Sequence, residues 1–163
     1  ISDETDALKA HEELKADDFT FLLQYEDGMP WQDFISIHEQ YKRGDVPEGR
    51  VPATFLFAES DGELVGRVSI RHDLNDFLFN YGGHVGYAVR PQFRRKGFAT
   101  QILRESLKIC SELGLKKVLV TCNDNNLYSA KTIENCGGVL ENKVLNDPEE
   151  ADGALVRRYW ITL

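Results

Sequence analysis

The run Arg94-Arg95-Lys96-Gly97-Phe98-Ala99-Thr100 puts three cations where a helix should begin. Apolar residues at Phe98, Ile102, Leu103, Leu107, Cys110 and Leu113 follow with helical period, and Gly114 closes the segment. A helix N-terminus has unpaired N–H groups and a partial positive charge, so cations there are unfavourable. The chain carries a formal net charge of −8, so the cluster is not a by-product of composition. A phosphate-bearing ligand removes the conflict, because backbone N–H groups and basic side chains then face one anion. Gly97 lets the backbone come close to it.

Two further groups have types and positions suited to chemistry. His84 titrates near neutrality, which suits a general base; the alternative is a structural imidazole packed beside Gly82 and Gly83. Asn126 precedes an apolar helical run and can cap it, and Ser129 lies one turn further on the same side. Arg71, His72 and Asp73 end a strand and either shape a pocket or meet solvent. Trp31 and Phe34 read as core packing rather than as a site.

The elements that must position these groups follow from periodicity. Asp3 to Ala16 predicts an acidic amphipathic helix capped at Ser2-Asp3, and Trp31 to Tyr41 a second helix after Pro30. Phe19 to Tyr25 fits either a helix or a strand. Ala53 to Glu59 and Glu63 to Arg71 predict a hairpin joined at Ser60-Asp61-Gly62. Asn75 to Asn80 reads as a connector, His84 to Arg90 as a strand opened by Gly82-Gly83, and Lys116 to Cys122 as a short buried strand. Leu127 to Cys136 predicts a helix stopped by Gly137-Gly138. Strands at Val139 to Val144 and Val156 to Leu163 end the chain, joined by an acidic turn through Pro148 and Gly153. Strand–helix–strand order around the basic cluster predicts a parallel crossover, and the hairpins predict antiparallel pairs. The fold class is α/β (α+β), a mixed sheet with helices on both faces.

Val85-Gly86-Tyr87-Ala88-Val89-Arg90-Pro91 followed by Arg94-x-x-Gly97-x-Ala99 resembles motif A of the GNAT superfamily, the Gcn5-related N-acetyltransferases. Asn126-x-x-Ser129 followed by Thr132-Ile133-Glu134-Asn135-Cys136-Gly137-Gly138 resembles that family's motif B. Arg157-Tyr159-Trp160-Ile161 looks like its last strand. The resemblance implies a single domain over residues 1–163, with a first strand that is truncated here. It implies acetyl-CoA as cosubstrate, with the pyrophosphate held by Arg94, Arg95, Lys96, Gly97, Phe98, Ala99 and Thr100. Asn126 and Ser129 would touch the cofactor, and backbone N–H groups near Tyr87, Ala88 and Val89 would face the thioester carbonyl. The family often places a tyrosine, acting as general acid, where this chain has Ile133. Tyr128 lies about 500° around the helix from that position, so it is no simple substitute. Arg71-His72-x-Leu74-Asn75 and Gly82-Gly83-His84 look like a bacterial branch of predicted acetyltransferases that names no acceptor.

Composition narrows the classes. The acidic balance argues against a nucleic-acid binder. No apolar run reaches membrane-spanning length. Cys110, Cys122 and Cys136 sit in apolar segments, which predicts reduced thiols and a cytoplasmic protein. No Cys-x-x-Cys or His-Glu-x-x-His spacing occurs, so no metal site is expected. The expected function is transfer of an acetyl group to a primary amine of a small molecule or peptide. The alternative is a non-catalytic acyl-CoA-binding or sensor module. A homodimer is allowed.

Overall fold

The computed structural model describes residues 4–145 and 154–163. The expected cap at Ser2-Asp3 and the turn through Pro148 and Gly153 lie outside the described residues.

Helix α1 (Glu4–Lys15) buries Ala7, Ala10, His11 and Leu14, a spacing that keeps one helical face against the core. The ambiguous segment after it is neither helix nor strand; it crosses as turns that bury Phe21 and Leu22. Helix α2 (Trp31–Arg43) begins after Pro30 and ends at Gly44, whose φ of 88° is the left-handed C-terminal conformation glycine takes without strain. Trp31 and Phe34 stack with ring centroids 4.7 Å apart, and Phe34 meets Phe55 edge-on, so both belong to the core.

Strands β1 (Ala53–Ser60) and β2 (Glu63–Arg71) pair antiparallel across Asp61-Gly62. Both turn residues have positive φ, 52° and 79°, as a two-residue turn matching strand twist requires. Strand β3 (Val85–Val89) pairs antiparallel with β2. Before it, the expected connector forms a single wide helical turn at Leu78–Gly82. Helix α3 (Phe98–Glu112) leads to β4 (Lys117–Asn123), and α4 (Leu127–Asn135) to β5 (Val139–Leu145) and β6 (Leu155–Thr162).

Among the described residues the strands form two three-stranded sheets, ordered β1-β2-β3 and β4-β6-β5, whose ladders are all antiparallel. The crossover from β3 through α3 to β4 is therefore realised without a continuous ladder between the two strands. The sheets touch just before β3, where His84 N–H donates to Leu119 O at 2.7 Å. Gly83 makes this approach feasible: its φ is 66°, and a Cβ there would sit 2.6 Å from Leu119 O. Beyond that junction β3 and β4 part, and the gap is lined by unpaired strand backbone.

Helices cover both faces. Leu103, Cys110 and Ile133 pack with Val68, Ile70, Val118, Val120 and Tyr159 on one side. Ala7, Ala10, Leu14, Phe21, Leu22 and Phe34 pack with Leu64 and Ala88 on the other. Cutting a fully buried residue such as Ile133 back to alanine costs about 2–5 kcal/mol, so these contacts hold the helices against the sheets.

Candidate active site

The basic cluster bends sharply before α3. Arg95 has a φ of 62° and Gly97 a φ of 85°, and no side chain caps the helix. The first helical bond runs from Gln101 N–H to Gly97 O. The N–H groups of Arg95, Lys96, Gly97, Phe98, Ala99 and Thr100 have no acceptor among the described residues. Beyond its immediate chain neighbours, no atom of the described residues lies within 4 Å of where a Gly97 Cβ would project, so the glycine faces open space. Unpaired amides at the positive end of a helix suit an anion such as a phosphate group.

The three cations surround this bend rather than fill it. Arg94 Nη2 pairs with Asp17 at 3.0 Å, and its Nε donates to Val89 O at 3.3 Å. Arg95 lies over the Tyr128 ring at 5.1 Å, and Lys96 over the Phe93 ring at 5.5 Å. All three remain exposed, which leaves them free to swing to a phosphate.

A cleft of about 660 Å³ runs from the bend to the gap between the sheets. Its walls include Tyr87, Ala88, Val89, Arg94, Arg95, Gly97, Ala99, Thr100, Asn126 and Ser129. Lys96 and Phe98 are not on its walls. Phe98 instead turns its ring edge-on to Phe93 and lines the groove between α3 and the first two strands. Asp17, Lys131, Thr132 and Asn135 were missed. The last two recur at helical spacing after Ser129, a signal present in the sequence. Asp17 gives no such signal, being brought to Arg94 only by the fold.

Strand register decides which amides of β3 are available. Arg90 N–H donates to Val65 O and Arg71 N–H to His84 O, so hydrogen-bonded pairs fall at alternate residues between them. That alternation commits the Ala88 N–H to β2 and turns the N–H groups of Tyr87 and Val89 into the gap. Of the three expected oxyanion donors, Ala88 is thus spent on the ladder.

The Tyr87 side chain enters the cleft, where its hydroxyl and that of Ser129 share a hydrogen bond of 2.9 Å. Burial pushes the Tyr87 phenol up to about 12. Asn126 Oδ1 accepts the Ser129 N–H at 3.0 Å, so it caps α4 while also lining the cleft. Ile133 is fully buried among core residues and presents no polar atom to the cleft.

His84 lies at the sheet junction, not at the mouth of the cleft. Its Nδ1 accepts the Leu119 N–H at 2.9 Å, and Trp160 packs near its edge. The neutral ring therefore carries its proton on Nε2 and has no lone pair left for a substrate proton. Burial lowers its pKa further. His72 is tied to Thr54 Oγ1 at 2.8 Å. His11, Glu12 and Asp27 approach one another, but His11 Nδ1 accepts the Leu22 N–H and Asp27 pairs with Lys15.

The two sheets splay between β3 and β4, with a cleft that runs from the gap to the bend before α3. The model of the Acetyltransferase (GNAT) family matches residues 9–137, and the chain belongs to that family. Similar solved structures include a spermidine N-acetyltransferase mutant from Vibrio cholerae, 19% identical, with a TM-score of 0.64, covering 96% of this chain and 89% of that one. A candidate acetyltransferase from Salmonella typhimurium, solved with acetyl-CoA, is 14% identical with a TM-score of 0.68, covering 99% and 91%. The microcin C7 self-immunity acetyltransferase, solved with acetyl-CoA and AMP, is 22% identical with a TM-score of 0.62, covering 96% and 89%. No helix among the described residues is long and apolar enough to cross a membrane.

Proposed function

We propose that the protein transfers an acetyl group from acetyl-CoA to a primary amine. The observation that carries this reading is the row of unpaired amides at residues 95–100, continuous through one cleft with the open edge of β3. Bound there, acetyl-CoA would supply an activated carbonyl and a thiolate leaving group.

The bend would hold the pyrophosphate, with Arg94 released from Asp17 and Arg95 and Lys96 closing over it. Asn126 and Ser129 would contact the cofactor from α4. The N–H groups of Tyr87 and Val89 would stabilise negative charge as it develops on the carbonyl oxygen, a role worth about 2.7–4 kcal/mol per donor elsewhere. Holding both reactants in the gap supplies much of the remaining acceleration.

Tyr87 and Ser129 place a hydrogen-bonded pair of hydroxyls on the cleft wall, where buried Ile133 offers no polar atom. A phenol raised to about 12 gives up its proton to a thiolate only uphill, since a cysteine thiol sits near about 8.5. Tyr87 therefore donates a hydrogen bond to the departing sulfur, and solvent supplies the proton. His84 has no role in the proton transfers, and water takes the proton from the amine.

Buried Ile133 favours a second reading, a module that binds acyl-CoA without turning it over. Free-thiol release with acetyl-CoA and a panel of primary amines separates the two. Release that depends on the amine supports transfer. Tight acetyl-CoA binding with no release from any amine supports the module.

A further inference from the structure

Among the described residues, two buried arginines face a carboxylate. Arg90 is held by Glu13 at 2.8 and 2.9 Å, and Arg158 by Glu141. Two on β2 differ. Arg67 is 4% exposed and donates only to carbonyls, those of Phe21, Gly86 and Thr20 at 2.9–3.1 Å. Among the described residues the Arg71 guanidinium makes one hydrogen bond, a long one, from Nη1 to Gly82 O at 3.5 Å. Among the described residues neither has a carboxylate within 4.0 Å. Burial lowers them to about 9 and about 10, so both stay charged at neutral pH. An uncompensated guanidinium taken out of water is costly in any chain, and this one has acidic residues to spare.

Their position gives the reason. Both flank Gly86, the residue before Tyr87. A Cβ on Gly86 would lie 2.9 Å from Arg71 Nη1 and 3.4 Å from Nη2, so the guanidinium lies directly on the strand. Gly86 and Tyr87 project to opposite faces of β3. Tyr87 points to the cofactor cleft, so Arg71 stands on the other face, beside the same gap. Arg71 does not line the cleft, and the cofactor phosphates belong at the bend before α3.

We propose that Arg71 binds an anionic group, a carboxylate or phosphate, on the acceptor amine, with Arg67 as the positioning residue that fixes the floor beneath it. This rests on the acetyl-transfer reading for the identity of the ligand, but the anion site itself does not need turnover. The guanidinium offers a planar fork of donors that carbonyls leave largely unused, which matches such a group in two-point geometry. The same charge repels a polycationic acceptor and lowers the pKa of an incoming ammonium, easing its deprotonation.

Two measurements test this. The first is the thermal shift, with CoA present, given by N-acetyl amino acids, an N-acetylaminoalkyl phosphate and the matching neutral amides. The anionic compounds should raise the melting temperature and the amides should not. Arg71→Gln should weaken the effect by about 10- to 100-fold in ligand concentration, the usual size of a charged hydrogen-bonded contact. Arg71→Lys, which keeps the charge without the fork, should restore part of it. Whether carboxylates or phosphates give the larger shift identifies the group. Equal shifts from neutral and anionic compounds, no shift from any anionic compound, or an undiminished shift in Arg71→Gln would overturn the inference. The second is thiol release from amino acids, aminoalkyl phosphates, their neutral counterparts and spermidine. Faster turnover of spermidine than of every anionic amine would also overturn it. An anion-specific, Arg71-dependent shift without thiol release from any amine would overturn acetyl transfer and leave the anion site standing.

Discussion

Replacing Gly97 with valine separates the two tasks this residue performs. Its φ of 85° lies where a side chain is strained, at a cost of about 1–2 kcal/mol. For a domain of this size that cost lowers the melting temperature by about 2–8 °C. The added side chain also enters the open space beside the unpaired amides of residues 95–100. Losing one or two charge-assisted bonds to a pyrophosphate removes about 1.5–3 kcal/mol each, so the Kd for acetyl-CoA should rise at least tenfold. Gly114 provides the control: its φ is also 85° and the space beside it is also open, but it follows the far end of α3. Gly114→Val should lower the melting temperature similarly and leave the Kd unchanged. Calorimetric titration and melting curves on both variants make the comparison. Wild-type affinity in Gly97→Val, or equal loss of affinity in Gly114→Val, would refute the placement of the pyrophosphate at the bend.

Three other perturbations test separate parts of the site. Tyr87→Phe should lower kcat by about tenfold through loss of the bond to the leaving sulfur, whereas Tyr128→Phe should stay within about threefold; the reverse order in steady-state kinetics would put Tyr128 in the role. His84→Ala should lower the melting temperature by leaving the Leu119 N–H unpaired, about 1–3 kcal/mol, without altering the acidic limb of the pH–rate profile. The lowered His84 pKa makes its contribution complete above about 6.5 and progressively lost as pH falls through the folded value, so the gap in melting temperature should narrow in acid. Glu13→Gln should cost about 2–3 kcal/mol at pH 7, because Arg90 is left buried without its carboxylate; Arg90 holds the Glu13 carboxyl below its ordinary 4.5, so the difference from wild type should close as pH falls below that value, followed by thermal melts from pH 7 to 3.

The helices, hairpins and basic bend were legible in the sequence because each is a local device. The period from Phe98 to Leu113 and the turn pair Asp61-Gly62 are both set by neighbours a few residues apart. Gly97 before a helix announces an unpaired set of amides for the same reason. Residues 19–25 were not legible, since burial of Phe21 and Leu22 is decided by α1 and β1 rather than by local periodicity.

The tertiary structure alone decided how those parts act. His84 has a chemistry that suits a base, but the close pass of Gly83 against Leu119 spends its lone pair on a backbone N–H. Three successive amides of β3 looked equivalent in sequence; the register with β2 takes Ala88 and turns Tyr87 and Val89 into the gap. In sequence Arg67 looks like an ordinary strand cation and Arg71 like a strand-end group that either shapes a pocket or meets solvent; only the fold shows which arginines receive carboxylates and which do not. Sequence fixes what a residue can donate or accept over one or two turns of chain. Whether that capacity is left for a ligand depends on partners brought from dozens of residues away, and only the packed chain determines them.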